Sequence, residues 1–223
     1  VDSGRKIYIC NPGRKNVEVY DSGLNLLYKL GSGNGEFQFP SAVAVKNSGN
    51  IYVADAKGDT VKVYRSDGTY SFSFGGTGND DGKFRFPTSL SIDEAAGEII
   101  VSDLQTTSAG VQGARIQVFN EGGTFKRKVG GYGQGEGLLL KPLGTAVDNT
   151  SRIFVSDAYQ NIVHVYGSGG EYQKTVYDLK NPMRTPLGIA VSKKTGKLYV
   201  ASLNTSTVEV YGSGTGSDSG TGG

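Results

Sequence analysis

The sequence predicts an all-β fold, a β-propeller of four-stranded antiparallel blades. Three observations carry this. The stretch from Gly35 to Phe74 holds four short runs rich in Val, Ile, Tyr and Phe: Ala42–Val45, Ile51–Ala54, Val61–Tyr64 and Tyr70–Phe74. Turn residues separate them at Lys46-Asn47-Ser48-Gly49-Asn50, Ala56-Lys57-Gly58-Asp59 and Ser66-Asp67-Gly68. Runs of β-branched and aromatic residues between Gly, Asn and Asp read as strands joined by tight turns, here a, b, c and d. Second, strand b recurs, its second residue falling at 8, 52, 100, 154 and 199, a mean spacing of about 48 residues. Third, Gly accounts for 35 of 223 residues, as a turn-rich chain requires. One blade cannot bury both of its faces, so neighbouring blades must cover them and the repeats are expected to close into a ring.

The chain starts inside a blade. Val1-Asp2-Ser3-Gly4-Arg5-Lys6-Ile7 resembles Val147-Asp148-Asn149-Thr150-Ser151-Arg152-Ile153, which follows an a strand. Five repeats are visible. Blade one has b, c (Val17–Tyr20) and d (Leu26–Leu30) but lacks a, blades two to four are complete, and blade five has a (Leu187–Val191), b and c (Val208–Tyr211) but lacks d. The propeller spans 1–211, and 212–223, GSGTGSDSGTGG, reads as a flexible linker or tail. One segment preceding Val1 could supply both missing strands, and six blades are open to the native chain. From the residue after strand b to the third residue of the VxVY run the count is 8 in four blades and 15 in blade three. Seven extra residues therefore sit in the loop Leu104–Ala114, and long loops on rigid scaffolds are frequent sites of function.

The repeat resembles that of NHL-repeat proteins. The likeness rests on Gly35-Glu36-Phe37…Pro40, Ala42–Val45, Ile51-Tyr52-Val53-Ala54-Asp55 and Val61-Lys62-Val63-Tyr64, and on the second copy from Gly82-Lys83-Phe84…Pro87 through Phe119. It covers almost the whole chain. It implies a propeller, often six-bladed, in a family of diverse function, some of whose members bind RNA through a basic face.

Composition excludes several chemistries. The single cysteine, Cys10, allows no internal disulfide and no CxxC metal or haem motif. No run reaches the length of a transmembrane helix, so no membrane insertion is expected. His164 is the only histidine, where a zinc lyase on a related propeller needs several. It stands where Glu18, Lys62, Gln117 and Glu209 stand in the other c strands, a variety expected of a solvated edge. No Gly-x-Ser-x-Gly elbow is present. Gly131-Tyr132-Gly133-Gln134-Gly135 lacks the Lys and the helix of a phosphate loop and reads as a d–a connection. Asn79-Asp80-Asp81 departs from an EF-hand pattern. Asp55, Asp103 and Asp157, with Asn11 and Ser202, end the b strands. Each can hydrogen-bond nearby backbone and stabilise a turn, and the alternative is a shared cation site in the channel. Asn149-Thr150-Ser151 and Asn204-Thr205-Ser206 are glycosylation sequons. No cofactor, metal or catalytic residue is assigned.

Three residues before the proline of each d–a connection stand Phe37, Phe84, Leu139 and Met183, always apolar and read as core. The next two positions, Gln38, Arg85, Leu140 and Arg184, then Phe39, Phe86, Lys141 and Thr185, vary as exposed positions do. They share a face with the b–c loops. The expected binding surface is Gln38, Lys57, Arg85, Phe86, Leu104, Gln105, Val111, Gln112, Lys141, Tyr159 and Arg184. On this face eight cations (Arg14, Lys15, Lys57, Lys83, Arg85, Lys141, Lys180, Arg184) meet nine anions (Glu36, Asp55, Asp59, Asp80, Asp81, Asp103, Glu136, Asp157, Asp178). The opposite face, with Lys193, Lys194 and Lys197 against acids such as Asp93, Glu94 and Glu98, comes out at about −1 as well. Phosphate binding needs uncompensated cations, which argues against nucleic acid as a partner. The leading expectation is a non-enzymatic scaffold binding a protein or extended ligand through the b–c/d–a face, in a longer secreted, periplasmic or cell-surface protein. A structural or self-assembling unit using the open strand edges of blades one and five comes second, and a lactonase- or lyase-type enzyme third.

Overall fold

A computed structural model describes residues 2, 4–31, 36–180 and 182–212. They form strands and turns throughout, grouped into five antiparallel sheets in chain order. Blade one holds β1 (Ile7–Asn11), β2 (Asn16–Tyr20) and β3 (Leu26–Leu30). Blade two holds β4 (Pro40–Val45), β5 (Ile51–Asp55), β6 (Thr60–Tyr64) and β7 (Tyr70–Gly75). In blade three β8 (Pro87–Asp93) and β9 (Glu98–Asp103) precede a small ribbon, β10 (Thr106–Thr107) with β11 (Gly110–Val111), before β12 (Arg115–Asn120) and β13 (Phe125–Val129) complete the sheet. The next connection carries β14 (Gly131–Tyr132) paired parallel with β15 (Leu138–Leu139). Blade four is β16 (Pro142–Val147), β17 (Ile153–Asp157), β18 (Ile162–Tyr166) and β19 (Tyr172–Val176), and blade five β20 (Pro186–Val191), β21 (Leu198–Ser202) and β22 (Thr207–Tyr211). Of the Gly/Ser-rich stretch 212–223, all but Gly212 lies outside the described residues.

The a strands β4, β8, β16 and β20 pack side by side and line the axis. Each opens on a proline, tolerated at the first residue of a strand because it has no ladder amide to lose. Directly after each proline the a–b register shifts, a bulge repeated in all four blades. Hydroxyls tie neighbouring blades together here: Ser41 Oγ donates to the Pro87 carbonyl (2.8 Å), Thr88 Oγ1 to Pro142 (3.0 Å) and Ser156 Oγ to Leu187 (2.7 Å).

The core is a set of four layers, one between each pair of successive blades. The two valines, or Ile and Val, of each V-x-V run in β2, β6, β12 and β18 point to the following blade and are fully buried. The third residue of strand b, Val53, Val101, Val155 or Val200, points to the preceding one and is also fully buried. At the two ends of the series these faces are bare. Ile9 is 47% exposed on blade one, and Val208 and Val210 are 63% and 51% exposed on blade five. The expected strand positions hold, with the b strands running one residue further to take in the aspartates.

Candidate functional site

The expected face is built by buried carboxylates that hold the d–a connections from beneath. Asp55 accepts the amides of Gln38 (2.9 Å) and Phe39 (2.7 Å), with Lys62 Nζ at 3.3 Å. Asp157 accepts the amides of Leu140 (2.6 Å) and Lys141 (3.1 Å) on one oxygen and those of Tyr159 and Gln160 on the other. Asp103 accepts the Arg85 amide (2.8 Å) and Arg115 Nε (3.2 Å). All three are fully buried and committed to backbone amides, so the turn-stabilising reading holds. Among the described residues no three of His, Cys, Asp and Glu converge as a metal-binding group would.

Two loop designs alternate. In blades two and four the residue before the proline, Phe39 or Lys141, is capped by its own blade's aspartate. In blades three and five that residue, Phe86 (φ 76°) or Thr185 (φ 56°), sits in the left-handed region, and its amide is accepted by the preceding blade's b–c turn, from Asp59 Oδ1 (2.9 Å) or Asn161 Oδ1 (2.8 Å). Left-handed backbone costs a non-glycine residue roughly 1–2 kcal/mol, so these cross-braces are what hold the loops there. Asp59, Asn161 and Arg115 escape the sequence reading because nothing in their local pattern marks them as caps.

On this fixed backbone the expected side chains are displayed unevenly. Gln38, Lys57, Gln112, Tyr159 and Arg184 are exposed, and Arg85, Phe86, Gln105, Val111 and Lys141 are half-buried. Leu104 is a correction: it is only 5% exposed, with its amide on the Phe86 carbonyl. Lys57 Nζ sits 5.6 Å from the Phe39 ring centre, and Phe39 lies 6.1 Å from Phe86. Two blades on, the pairing is inverted: Lys141 Nζ lies 4.8 Å from the Tyr159 ring. Beside Tyr159 a groove of about 370 Å³ runs between blades four and five, bordered by Pro182, Arg184, Thr185 and Asn204.

The variety at the middle of strand c misleads. His164 is 1% exposed, and Gln117 and Glu18 are buried too. The position lies on the same face as the third residue of strand b, turned towards the preceding side and the incoming d–a connection, and it anchors loops instead of meeting solvent. Gln117 donates to the Lys83 carbonyl and accepts the Gly82 amide, Lys62 reaches the Glu36 carbonyl, and His164 Nδ1 lies 3.2 Å from Thr175 Oγ1. Burial holds the His164 imidazole below its ordinary pKa despite nearby Asp157. A histidine whose folded pKa is depressed withdraws stability as pH falls through the unfolded value of about 6.5. His164→Gln, borrowing the residue of blade three, is therefore expected to flatten the loss of thermal stability between pH 7 and 5, read as Tm against pH. An equally steep wild-type and variant profile would refute it. Burial also pushes the Cys10 thiol up to about 12, which disfavours the thiolate.

The charge count changes as well. Removing the three buried aspartates leaves eight cations against six anions on this face. Even with the three restored, Lys62 and Arg115 beside them turn the balance slightly positive. The charge on this face therefore does not oppose nucleic acid.

No protein-family model matches the chain. Over 142 residues, 64% of its length, it is 30% identical to the protein brain tumor of Drosophila melanogaster, and over 127 residues 28% identical to the B-box type zinc finger protein ncl-1 of Caenorhabditis elegans. The matched stretches span only 13% and 14% of those proteins. Among solved structures it superposes on a nidogen/laminin complex chain (TM-score 0.76, 18% identity, 94% of this chain and 72% of that one) and on virginiamycin B lyase from Staphylococcus aureus (TM-score 0.67, 13% identity, 94% and 67%). At these identities the superpositions speak for the propeller fold alone. The five antiparallel blades make the fold a β-propeller, and the repeat residues and the two curated relatives together make it similar to the NHL-repeat propellers.

Proposed function

We propose that this propeller is a non-enzymatic binding module whose b–c/d–a face takes an extended segment of a protein partner. One observation carries the reading. Side chains of varied chemistry stand on a loop backbone fixed by buried carboxylates, with aromatic rings beside cations at Phe39–Lys57 and Tyr159–Lys141. Rigid aromatic and cationic anchors on preorganised loops are the usual carriers of interface energy. NHL-repeat propellers mediate protein binding, which supports the same reading. The test is lysine cross-linking on protein from its native source, followed by the triple variant Phe39→Ala, Phe86→Ala and Tyr159→Ala. A partner linked through Lys57, Lys83 or Lys141 should lose at least roughly tenfold in affinity. Unchanged affinity, or links only between copies of this chain, would sink the proposal.

A second reading has its own support. Exposed rings flanked by cations also suit stacking of single-stranded nucleic acid, and the corrected charge balance no longer opposes it. Binding of a random single-stranded RNA pool that weakens steeply with salt and is lost in the same triple variant would favour this reading over a protein. The extracytoplasmic placement expected from composition is a separate proposal, checked by fractionating the native source and probing Asn149 and Asn204 for glycan.

A further inference from the structure

The loop face also carries an inference about the chemistry of its partner, one that rests on the binding reading above. The residue before each a-strand proline stands at the end of a strand that lines the axis, so Phe39, Phe86 and Lys141 rim its mouth. Rings of neighbouring blades meet there, Phe39 lying 6.1 Å from Phe86. The b–c turns lean onto the same rim. Lys57 Nζ sits 5.6 Å from the Phe39 ring centre, and the Tyr159 ring 4.8 Å from Lys141 Nζ.

This mouth shows cations to solvent, and the acids around it are already engaged. Asp55, Asp103 and Asp157 lie beneath it, fully buried. Lys62 and Arg115 answer the first two, and Asp157 is committed to four backbone amides. Asp59 reaches the rim at Phe86, but one oxygen accepts that residue's amide and the other the Thr77 hydroxyl (2.7 Å). The Lys57 and Lys141 side chains have no acid and no hydrogen bond among the described residues, only an aromatic ring. Further out the signs mix. Arg85 turns to Asn79 Oδ1 (2.8 Å), Lys83 to the Gly75 carbonyl (2.9 Å), and Lys128 pairs with Asp81 (3.0 Å), while Asp80 and Glu136 stand exposed.

We propose that the mouth receives acidic side chains of the partner segment, Asp or Glu set beside an aromatic residue that lies against Phe39 and Phe86. An ammonium resting on a ring keeps N–H donors in water, and a carboxylate can take the place of that water without disturbing the ring contact. Charge complementarity favours a peptide over nucleic acid. A phosphodiester chain carries charge at every residue and needs cations along its whole path. Here the unpaired cations are confined to the mouth and give way to mixed signs, which suits a peptide that presents its carboxylates at one place.

The probes are two fluorescent peptides with blocked termini, KAEFEAK and EAKFKAE. They share one composition and a net charge of zero, so only the order of charge differs. In anisotropy titrations KAEFEAK is expected to bind at least roughly tenfold more tightly, because the other peptide sets like charges against the mouth. The double variant Lys57→Glu, Lys141→Glu should reverse that order. Neither side chain is bonded to the fold, so the variant is expected to keep the parent's circular dichroism and Tm. Equal binding of the two peptides, tighter binding of EAKFKAE by the parent protein, or no binding of either overturns the proposal. The binding-module reading is judged separately. Equal binding that is lost in the triple variant Phe39→Ala, Phe86→Ala, Tyr159→Ala would leave the module standing while its acidic preference falls. A polyuridine dodecamer that displaces KAEFEAK and binds more tightly would overturn the proposal in favour of nucleic acid.

Discussion

Arg115→Met is expected to destabilise the fold by roughly 3–5 kcal/mol, the usual cost of removing one partner of a buried ion pair. The Arg115 side chain is almost fully buried and does two jobs at once. Its Nε donates to Asp103, which caps the Arg85 amide. Its terminal nitrogens donate to the carbonyls of Asn79 (2.7 Å), Asp80 (3.2 Å) and Lys83 (2.7 Å), closing the loop that leads into blade three. Methionine fills similar volume but leaves the Asp103 charge without its counter-ion and takes the Arg115 donor from the Asn79 carbonyl, while the Lys83 carbonyl keeps Gln117 and the Asp80 carbonyl keeps the Lys83 amide. Denaturant unfolding measures the loss. Burial already raises the Asp103 carboxyl above the usual carboxylate range. A group with a raised folded pKa gains relative stability as pH falls, so the deficit of the variant should shrink from pH 7 to 5. The double variant Asp103→Leu, Arg115→Met should recover part of it. A loss below about 1 kcal/mol at pH 7 would mean that water replaces the guanidinium.

Phe84→Ala is expected to cost roughly 3–5 kcal/mol, within the range for emptying an aromatic site in a close-packed core. Phe84 is fully buried between blades two and three, its ring 5.4 Å from Phe119 and 6.4 Å from Phe74. It also sits directly against Gly75, where a Cβ would come within 2.4 Å of the ring and the backbone holds φ 104°. The ring therefore fixes both the layer and the exit of β7. The same unfolding measurement checks it. A small loss would mean that Phe74 and Phe119 collapse into the space. If the cavity persists, the variant should bind small apolar molecules that the parent does not.

Much of the fold is legible because each strand is short and fenced by turn residues, and because Phe37, Phe84, Leu139 and Met183 recur at one fixed distance before a proline. At the candidate site the turn-stabilising role of the aspartates that end the b strands is legible, and so is the exposure of Lys57, Tyr159 and Arg184. The misses share a cause. In a propeller both faces of a blade are covered, so alternation along a strand does not separate core from solvent. His164 and Gln117 look like surface residues because their chemistry varies, yet each is buried against hydrogen-bonding partners. A count of charges cannot distinguish Asp103, sealed around an amide and a guanidinium, from Asp80, which faces water. Leu104 fails for a related reason, since an inserted loop must bury something to hold its own ribbon in place.

The alternation of loop braces has a consequence for how such a chain can change. Asp59 and Asn161 each lend an acceptor to the blade that follows, while Phe39 and Lys141 need nothing from the blade before. At this face blades two and three form one tandem unit, and blades four and five another. Recombination that moved a whole pair would carry donor and acceptor together. Transplanting blade three or five alone would strand a left-handed Phe86 or Thr185 without the neighbour that makes its backbone tenable. The smallest exchangeable part of this face is thus a couple of adjoining repeats.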